Sequence, residues 1–144
     1  MRHRIPQELR VLPQWVCAGP SKVPLNPNTG LNASPTNPLT WGTFDAAVAS
    51  GMKYIGFVLT REDPYCVIDL DVKEDTTQQD LDRHTRIMQA FDTYTERSAS
   101  GKGVHIVLRA SIPAGARRGP VEIYSAERYI IFTGDVINDR PIMD

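Results

Sequence analysis

Cysteine is scarce in this chain of 144 residues, which contains only Cys17 and Cys66. The two lie far apart in sequence and form no Cys-x-x-Cys pair, so the sequence predicts neither a disulfide framework nor a zinc site. Apolar runs are also short, and none approaches the roughly 18 residues of a membrane-spanning helix. The charged residues 1–4 lead into no apolar signal segment. We therefore expect a cytoplasmic protein with buried thiols and no membrane segment.

Net charge is almost absent as well. The chain has 16 Lys and Arg residues against 17 Asp and Glu residues, and its formal net charge is −1. Proteins that bind duplex DNA are usually basic, because neutralising phosphates supplies most of their non-specific affinity. We therefore expect the chain to hold nucleic acid weakly on its own. Its length and its 41% hydrophobic content suit one compact domain.

The most informative pattern is Asp69-Leu70-Asp71, which ends the apolar run Cys66-Val67-Ile68. Alternate side chains of a strand point to opposite faces, so the two aspartates share one face while the aliphatic residues face a core. Burying two unpaired carboxylates is costly unless a divalent cation lies between them, and Mg²⁺ prefers such oxygen ligands. For this pattern taken alone, a solvated strand end is the alternative.

Two later segments favour the metal site. In Ser98-Ala99-Ser100-Gly101-Lys102-Gly103-Val104-His105, small residues can expose backbone N–H groups, and the lysine adds positive charge, which suits a phosphate. A Walker A loop is excluded, because that pattern needs glycine in place of Glu96 and Ser or Thr in place of Gly103. In Val121-Glu122-Ile123-Tyr124 a lone glutamate interrupts a β-branched run. The polar residues of three strands then share one face, which predicts a metal site with a phosphate-binding neighbour. They are Asp69, Asp71, His105 and Glu122.

The order of these motifs resembles that of the archaeo-eukaryotic primase superfamily. More closely, it resembles the primase-polymerase domain of phage and plasmid replication proteins. The similarity spans residues 14–134. It also includes Gln14-Trp15-Val16, residues 22–30, Pro38-Leu39-Thr40-Trp41, residues 55–60 and residues 128–134.

The resemblance implies a metal-dependent nucleotidyltransferase, a DNA primase and DNA polymerase that uses two divalent ions, Mg²⁺ or Mn²⁺. It implies that Asp69, Asp71 and Glu122 bind these metals and are catalytic. It also implies that a nucleoside triphosphate, dNTP or NTP, is bound by a second set of residues. These are Ser100, Gly101, Lys102, Gly103, His105 and Arg128. Lys22, Arg117 and Arg118 are candidates for contact with DNA or phosphate; a solvated loop is the alternative for the two arginines.

The resemblance further implies an α/β (α+β) primase-type core with an RRM-like, mixed or antiparallel sheet and flanking helices. The sequence pattern predicts helices over residues 43–50 and about 77–91, and two adjacent strands over residues 54–60 and 65–71. We expect residues 1–144 to form a single catalytic domain. In relatives such a domain precedes a helical domain and often a helicase, and it acts on single-stranded or primed DNA.

Two other classes of protein could use the same residues. A metal-dependent nuclease or phosphodiesterase needs similar carboxylates but has no need for a triphosphate pocket. A non-catalytic DNA-binding module of replication could keep the fold alone, although it would have no reason to keep three costly carboxylates together.

Overall fold

The computed structural model describes residues 1–110, 116–118 and 121–144, the middle segment by its backbone alone. Strands dominate this part of the chain, and short helices accompany them. The strands are β1 (Trp15–Ala18), β2 (Pro24–Leu25), β3 (Tyr54–Leu59), β4 (Tyr65–Leu70), β5 (Thr95–Arg97), β6 (Val104–Arg109), β7 (Ala116–Arg118), β8 (Val121–Tyr124), β9 (Arg128–Phe132) and β10 (Val136–Asn138). The helices are α1 (Gln7–Arg10), α2 (Phe44–Ala49) and α3 (Gln78–Ala90), with 3₁₀ helices at Arg2–Arg4 and Pro38–Thr40.

These strands form two sheets. One has four strands in the order β2-β1-β3-β9, and the other has six in the order β10-β5-β6-β4-β8-β7. Every strand pair in them is antiparallel. The predicted α/β (α+β) class with an antiparallel sheet is thus confirmed.

The prediction that β3 and β4 lie next to each other is wrong. β3 pairs with β1 and β9, whereas β4 pairs with β6 and β8, so the turn between β3 and β4 carries the chain from one sheet to the other. The Asp63 carboxylate holds this turn by accepting bonds from the N–H groups of Thr60, at 2.7 Å, and Tyr65, at 2.9 Å. Both strands are buried along nearly their whole length. Their polarity pattern therefore did not indicate which neighbours they would choose.

Both predicted helices are confirmed. Before α2, the Thr43 hydroxyl accepts a bond from the N–H of Ala46 at 3.1 Å. Before α3, Thr77 and Asp80 form a reciprocal capping box, which satisfies two backbone donors that the helix itself leaves unpaired. No helix in the described residues is long and apolar enough to cross a membrane.

Trp15 lies at the centre of the main core and has no exposed surface. Its ring meets Phe44, Phe57 and Phe132 edge to face, with centroid distances of 5.1, 5.2 and 5.9 Å. Its indole N–H donates to the Leu9 carbonyl at 3.0 Å. The same cluster includes buried residues of β4 and β6, so the two sheets share one core.

A second cluster covers the other face of the six-stranded sheet. Its buried members are Ile68, Leu70, Ile106 and Leu108, and residues of α3 pack against them. The face opposite these residues was expected to be polar, but Val67 and Val107 on that face are fully buried in the main core. The six-stranded sheet is therefore covered on both faces, and any polar side chain between the sheets lies close to the core.

Replacing Trp15 with alanine should destabilise the fold by about 3–5 kcal/mol, because it removes a large buried ring and leaves a cavity. Urea unfolding followed by circular dichroism measures this change. Leu39→Ala is the matched control, since Leu39 is 88% exposed and its truncation should leave stability nearly unchanged. Equal stability of the two variants would contradict this account of the core.

Candidate active site between the two sheets

Four ionisable residues lie side by side across four strands of the six-stranded sheet. The register pairs Glu96 of β5 with His105 of β6, His105 with Asp69 of β4, and Asp69 with Glu122 of β8. Residues directly opposite each other project from the same face of a sheet. Strand pairing alone therefore assembles this polar row (Glu96, His105, Asp69 and Glu122), which lies on the face toward the four-stranded sheet.

A cavity of about 310 Å³ opens beside the polar row, and both sheets contribute to its lining. It brings together seven of the residues predicted from the sequence, which are Lys22, Asp69, Asp71, Ser100, His105, Glu122 and Arg128. Gly101, Lys102 and Gly103 belong to the same loop as Ser100 but do not line this cavity. All three predicted carboxylates and four of the predicted phosphate contacts, Lys22, Ser100, His105 and Arg128, thus share one site.

Asp69 is poorly solvated in this cavity. Its Oδ1 atom is buried, has no hydrogen-bond partner within the part of the chain that the structure describes, and lies 3.6 Å from Nε2 of His105. Burial raises the pKa of Asp69, and the charges of Asp71 and Glu122 raise it further, while His105 and Arg128 oppose the shift. Leaving a buried acceptor unsatisfied is costly. An oxygen-seeking cation at this carboxylate would remove that cost.

Asp69 and Asp71 are close in sequence, and the strand register places Glu122 opposite Asp69, but the three side chains do not converge on one point. Within residues 1–110 and 121–144, no three His, Cys, Asp or Glu side chains are arranged to hold a metal ion. Glu122 accepts a hydrogen bond from the Tyr124 hydroxyl, and Asp71 lies just beyond the end of β4. Metal binding would require these side chains to converge on Asp69.

His105 is held between two carboxylates. Its Nδ1 lies 3.5 Å from Oε2 of Glu96, and its Nε2 faces Asp69. Burial by itself lowers the pKa of His105, but contact with Glu96 and the negative charges of Asp69 and Glu96 outweigh burial and raise the pKa. The site therefore favours the charged imidazolium, in which both ring nitrogens carry protons.

Glu96 is the functional candidate that sequence reasoning missed. Its side chain is fully buried and accepts bonds from the Tyr94 hydroxyl at 2.6 Å, the Thr133 N–H at 2.8 Å and the Gly134 N–H at 3.1 Å. In sequence, Thr95-Glu96-Arg97 resembles a polar edge strand. Only the contacts with residues 133 and 134, distant in sequence, show that this carboxylate is an internal support for His105.

Hydrogen bonds within the loop before β6, from its backbone and a serine hydroxyl, hold its two ends together. The N–H of Ser98 donates to the Gly103 carbonyl at 2.9 Å, and the Gly103 N–H donates to the Ser98 hydroxyl at 3.1 Å. A Cβ atom on Gly103 would lie 2.6 Å from the Leu70 carbonyl oxygen, and Gly101 has a φ of 77°. Both glycines are thus required by the shape of the hairpin. Their approach to a phosphate remains a prediction.

Cationic groups face the carboxylates across the cavity. The Arg128 guanidinium lies 4.2 Å from the centre of the Tyr124 ring and donates to its hydroxyl at 3.0 Å. Lys22 enters the cavity lining from the four-stranded sheet side, and its carbonyl accepts a bond from the Tyr129 hydroxyl. The cavity can therefore receive a ligand that carries both a cation and negative phosphates.

The arginine pair predicted as a phosphate contact or a solvated loop lies in a strand. In β7, Arg117 is opposite Glu122 and Arg118 is opposite Val121. This register extends the polar row by one more position. The side chains of both arginines lie outside the described residues.

Comparison with known proteins supports the reading of these motifs. No model of a protein family matches the chain. The chain is 35% identical over 138 residues, 88% of its length, to a protein named DNA Primase-polymerase from Nitratiruptor phage NrS-1. The chain belongs to the primase-polymerase family. It spans 19% of that relative's length, so the activity and partners of the whole phage protein do not transfer directly.

Glu96→Gln should destabilise the fold by roughly 1–3 kcal/mol, because the new amide N–H₂ group must face one of the donors that the carboxylate now satisfies. It should also lower the pKa of His105, since the neighbouring negative charge is lost. Urea unfolding measures the first effect, and NMR titration of the imidazole protons measures the second. Glu127→Gln, at an exposed carboxylate, is the control and should change neither. An unchanged His105 titration would contradict the proposed support.

Proposed function

We propose that the chain is the catalytic domain of a metal-dependent nucleotidyltransferase that makes or extends DNA primers. The single observation that carries this proposal is the register that places Asp69 between His105 and Glu122, in a cavity rimmed by Lys22 and Arg128. Carboxylates on one side suit divalent cations, and cations on the other suit a triphosphate. The similarity to a phage DNA primase-polymerase supports the same reaction.

Asp69, Asp71 and Glu122 would hold the two divalent ions, Mg²⁺ or Mn²⁺. The buried, unpartnered Oδ1 of Asp69 fits a hard cation, which prefers oxygen ligands. Bound there, such ions would lower the pKa of an attacking 3′-hydroxyl and neutralise the leaving pyrophosphate. The raised pKa of Asp69 also means that protons compete with the metal, so metal affinity should fall as the solution becomes more acidic.

The remaining residues of the cavity would bind and orient the nucleotide. Arg128 and Lys22 supply positive charge, and Ser100 supplies a hydroxyl. His105 acts as a phosphate donor and not as a general base, because its raised pKa favours the protonated imidazolium. Its Nε2 lies 3.6 Å from Asp69, too far for a hydrogen bond, so this N–H can donate to a phosphate oxygen.

The substrates follow from this chemistry. We propose single-stranded or primed DNA as template and a dNTP or NTP as the incoming nucleotide. We also propose that the domain works in replication of phage or plasmid DNA in the cytoplasm of the host, beside a helical domain and a helicase.

The direct test combines the chain with single-stranded template, labelled dNTPs or NTPs, and Mg²⁺ or Mn²⁺, with and without a primer. Template-dependent incorporation supports the proposal. Degradation of the template without incorporation would indicate a nuclease or phosphodiesterase instead. Binding of DNA with neither reaction would indicate a non-catalytic replication module.

Asp69→Ala and Asp71→Ala should each lower nucleotide incorporation by roughly a hundredfold or more, because losing a metal ligand removes several kcal/mol of transition-state stabilisation. Neither should lower the melting temperature measured without metal. Because folding raises the pKa of Asp69, this carboxylate opposes folding at any pH where it is charged in the unfolded chain, so its removal leaves stability at neutral pH unchanged or higher. Asp75→Ala, at an exposed loop carboxylate, is the control. Full activity of both site variants would refute the polymerase assignment.

His105→Ala should weaken triphosphate binding by about tenfold or more, since a hydrogen bond to a charged group contributes roughly 1.5–3 kcal/mol. Binding of Mn²⁺ alone should change much less. Calorimetric titration with nucleotide at constant metal concentration measures the effect, and the same titration with the unphosphorylated nucleoside is the control. Unchanged triphosphate affinity in a folded variant would assign His105 a structural role only.

A further inference from the structure

A second, larger cavity adjoins the acidic one. It has a volume of about 650 Å³, and Ala99 and Ile131 line both cavities. The ring of Tyr54 contacts a lysine from each cavity. Nζ of Lys53, in the second cavity, lies 5.2 Å from the ring centre, and Nζ of Lys22, in the first, lies 5.8 Å from it. The two cavities therefore form one continuous surface with the proposed catalytic site at one end.

The second cavity is basic. Arg2, Arg10 and Lys53 contribute to its lining, and no Asp or Glu among the described residues does. None of the three cations forms an ion pair within residues 1–110 and 121–144, where the ion pairs involve other basic residues. Because the chain as a whole carries a net charge of −1, this uncompensated cluster is a local departure from its average composition.

Aromatic side chains accompany the cations. The Arg10 guanidinium lies 5.9 Å from the centre of the Phe44 ring. Of the aromatic residues that line the cavity, Phe44 and Tyr54 are partly exposed, whereas Phe132 is buried. Proteins that bind single-stranded nucleic acid without sequence preference combine cations, which follow the backbone, with aromatic faces, on which bases stack. An acidic peptide would use the cations but would have no comparable use for the rings.

We infer that this basic groove, defined by Arg2, Arg10, Phe44, Lys53 and Tyr54, binds single-stranded nucleic acid and leads it to the acidic cavity. The inference rests on the proposed function only in naming the strand as the template. With three cations available, few phosphates can be neutralised. We therefore expect modest affinity and a slope of log affinity against log salt of roughly −2, at about −0.7 per phosphate contact.

The test measures binding of a fluorescent oligo(dT) by anisotropy at several salt concentrations, without metal or nucleotide. Lys53→Glu should weaken binding by about tenfold at low salt and make the salt slope shallower by at least 0.7 or so. Arg86→Glu is the matched control: Arg86 is an exposed cation on α3, it has no ion pair among the described residues, and its reversal changes net charge equally. Thermal unfolding verifies that both variants are folded.

Selective loss in Lys53→Glu supports the groove. Equal loss of binding in both variants would mean that only the overall charge matters, and it would overturn the inference. Unchanged binding in both variants would also overturn it, as would the absence of measurable binding by the unmodified chain. If an oligoglutamate of the same charge as the oligo(dT) displaced it and bound with higher affinity, the occupant of the groove would be an acidic protein instead. Since no metal or nucleotide is present, these results are independent of the incorporation assay that tests the proposed function.

Discussion

The pairing of β4 with β6 on one side and β8 on the other determines where every proposed catalytic group lies. A slip of one residue in either ladder would send His105 or Glu122 to the opposite face of the sheet, under α3. Such a slip is costly, because it would place these ionisable side chains among the apolar residues beneath α3. Ile68 and Ile106 pack beneath α3, while Val67 and Val107 lie in the core shared by the two sheets. Hydrophobic burial, which is not directional by itself, thus fixes the position of the polar row.

The polar row also explains why the site should attract a cation at one particular end. Glu96 is balanced by its donors and by His105, whose raised pKa favours a positive charge beside it. Negative charge is therefore in excess toward Asp69 and Glu122, where the cavity opens. Burying paired charges seldom increases stability. The fold tolerates the row because one end is fully hydrogen-bonded and the other can be satisfied by a ligand.

Local patterns in the sequence predicted the parts of this fold that depend on neighbouring residues. The capping residues Thr43 and Thr77 predicted where the two longer helices begin. The order of the motifs indicated Asp69, His105 and Glu122 as candidate site residues. The division into two sheets was not predictable, because β3 and β4 are both apolar and their partners lie far along the chain. Glu96 was missed for the same reason: its donors at residues 133 and 134 reveal its burial only after folding.

Net charge was a poor guide to the distribution of charge over the surface. The value of −1 is a total over the whole chain, and it hides an acidic cavity and a basic groove that adjoin each other. An approaching polyanion responds to the local potential, which neighbouring charges determine within a Debye length of about 10 Å. The basic groove can therefore attract a nucleic acid strand more strongly than the neighbouring cavity, where three carboxylates offset Lys22 and Arg128. If the basic groove holds the strand as we infer, the cavity beside it stays free for a metal ion and the phosphates that it accompanies.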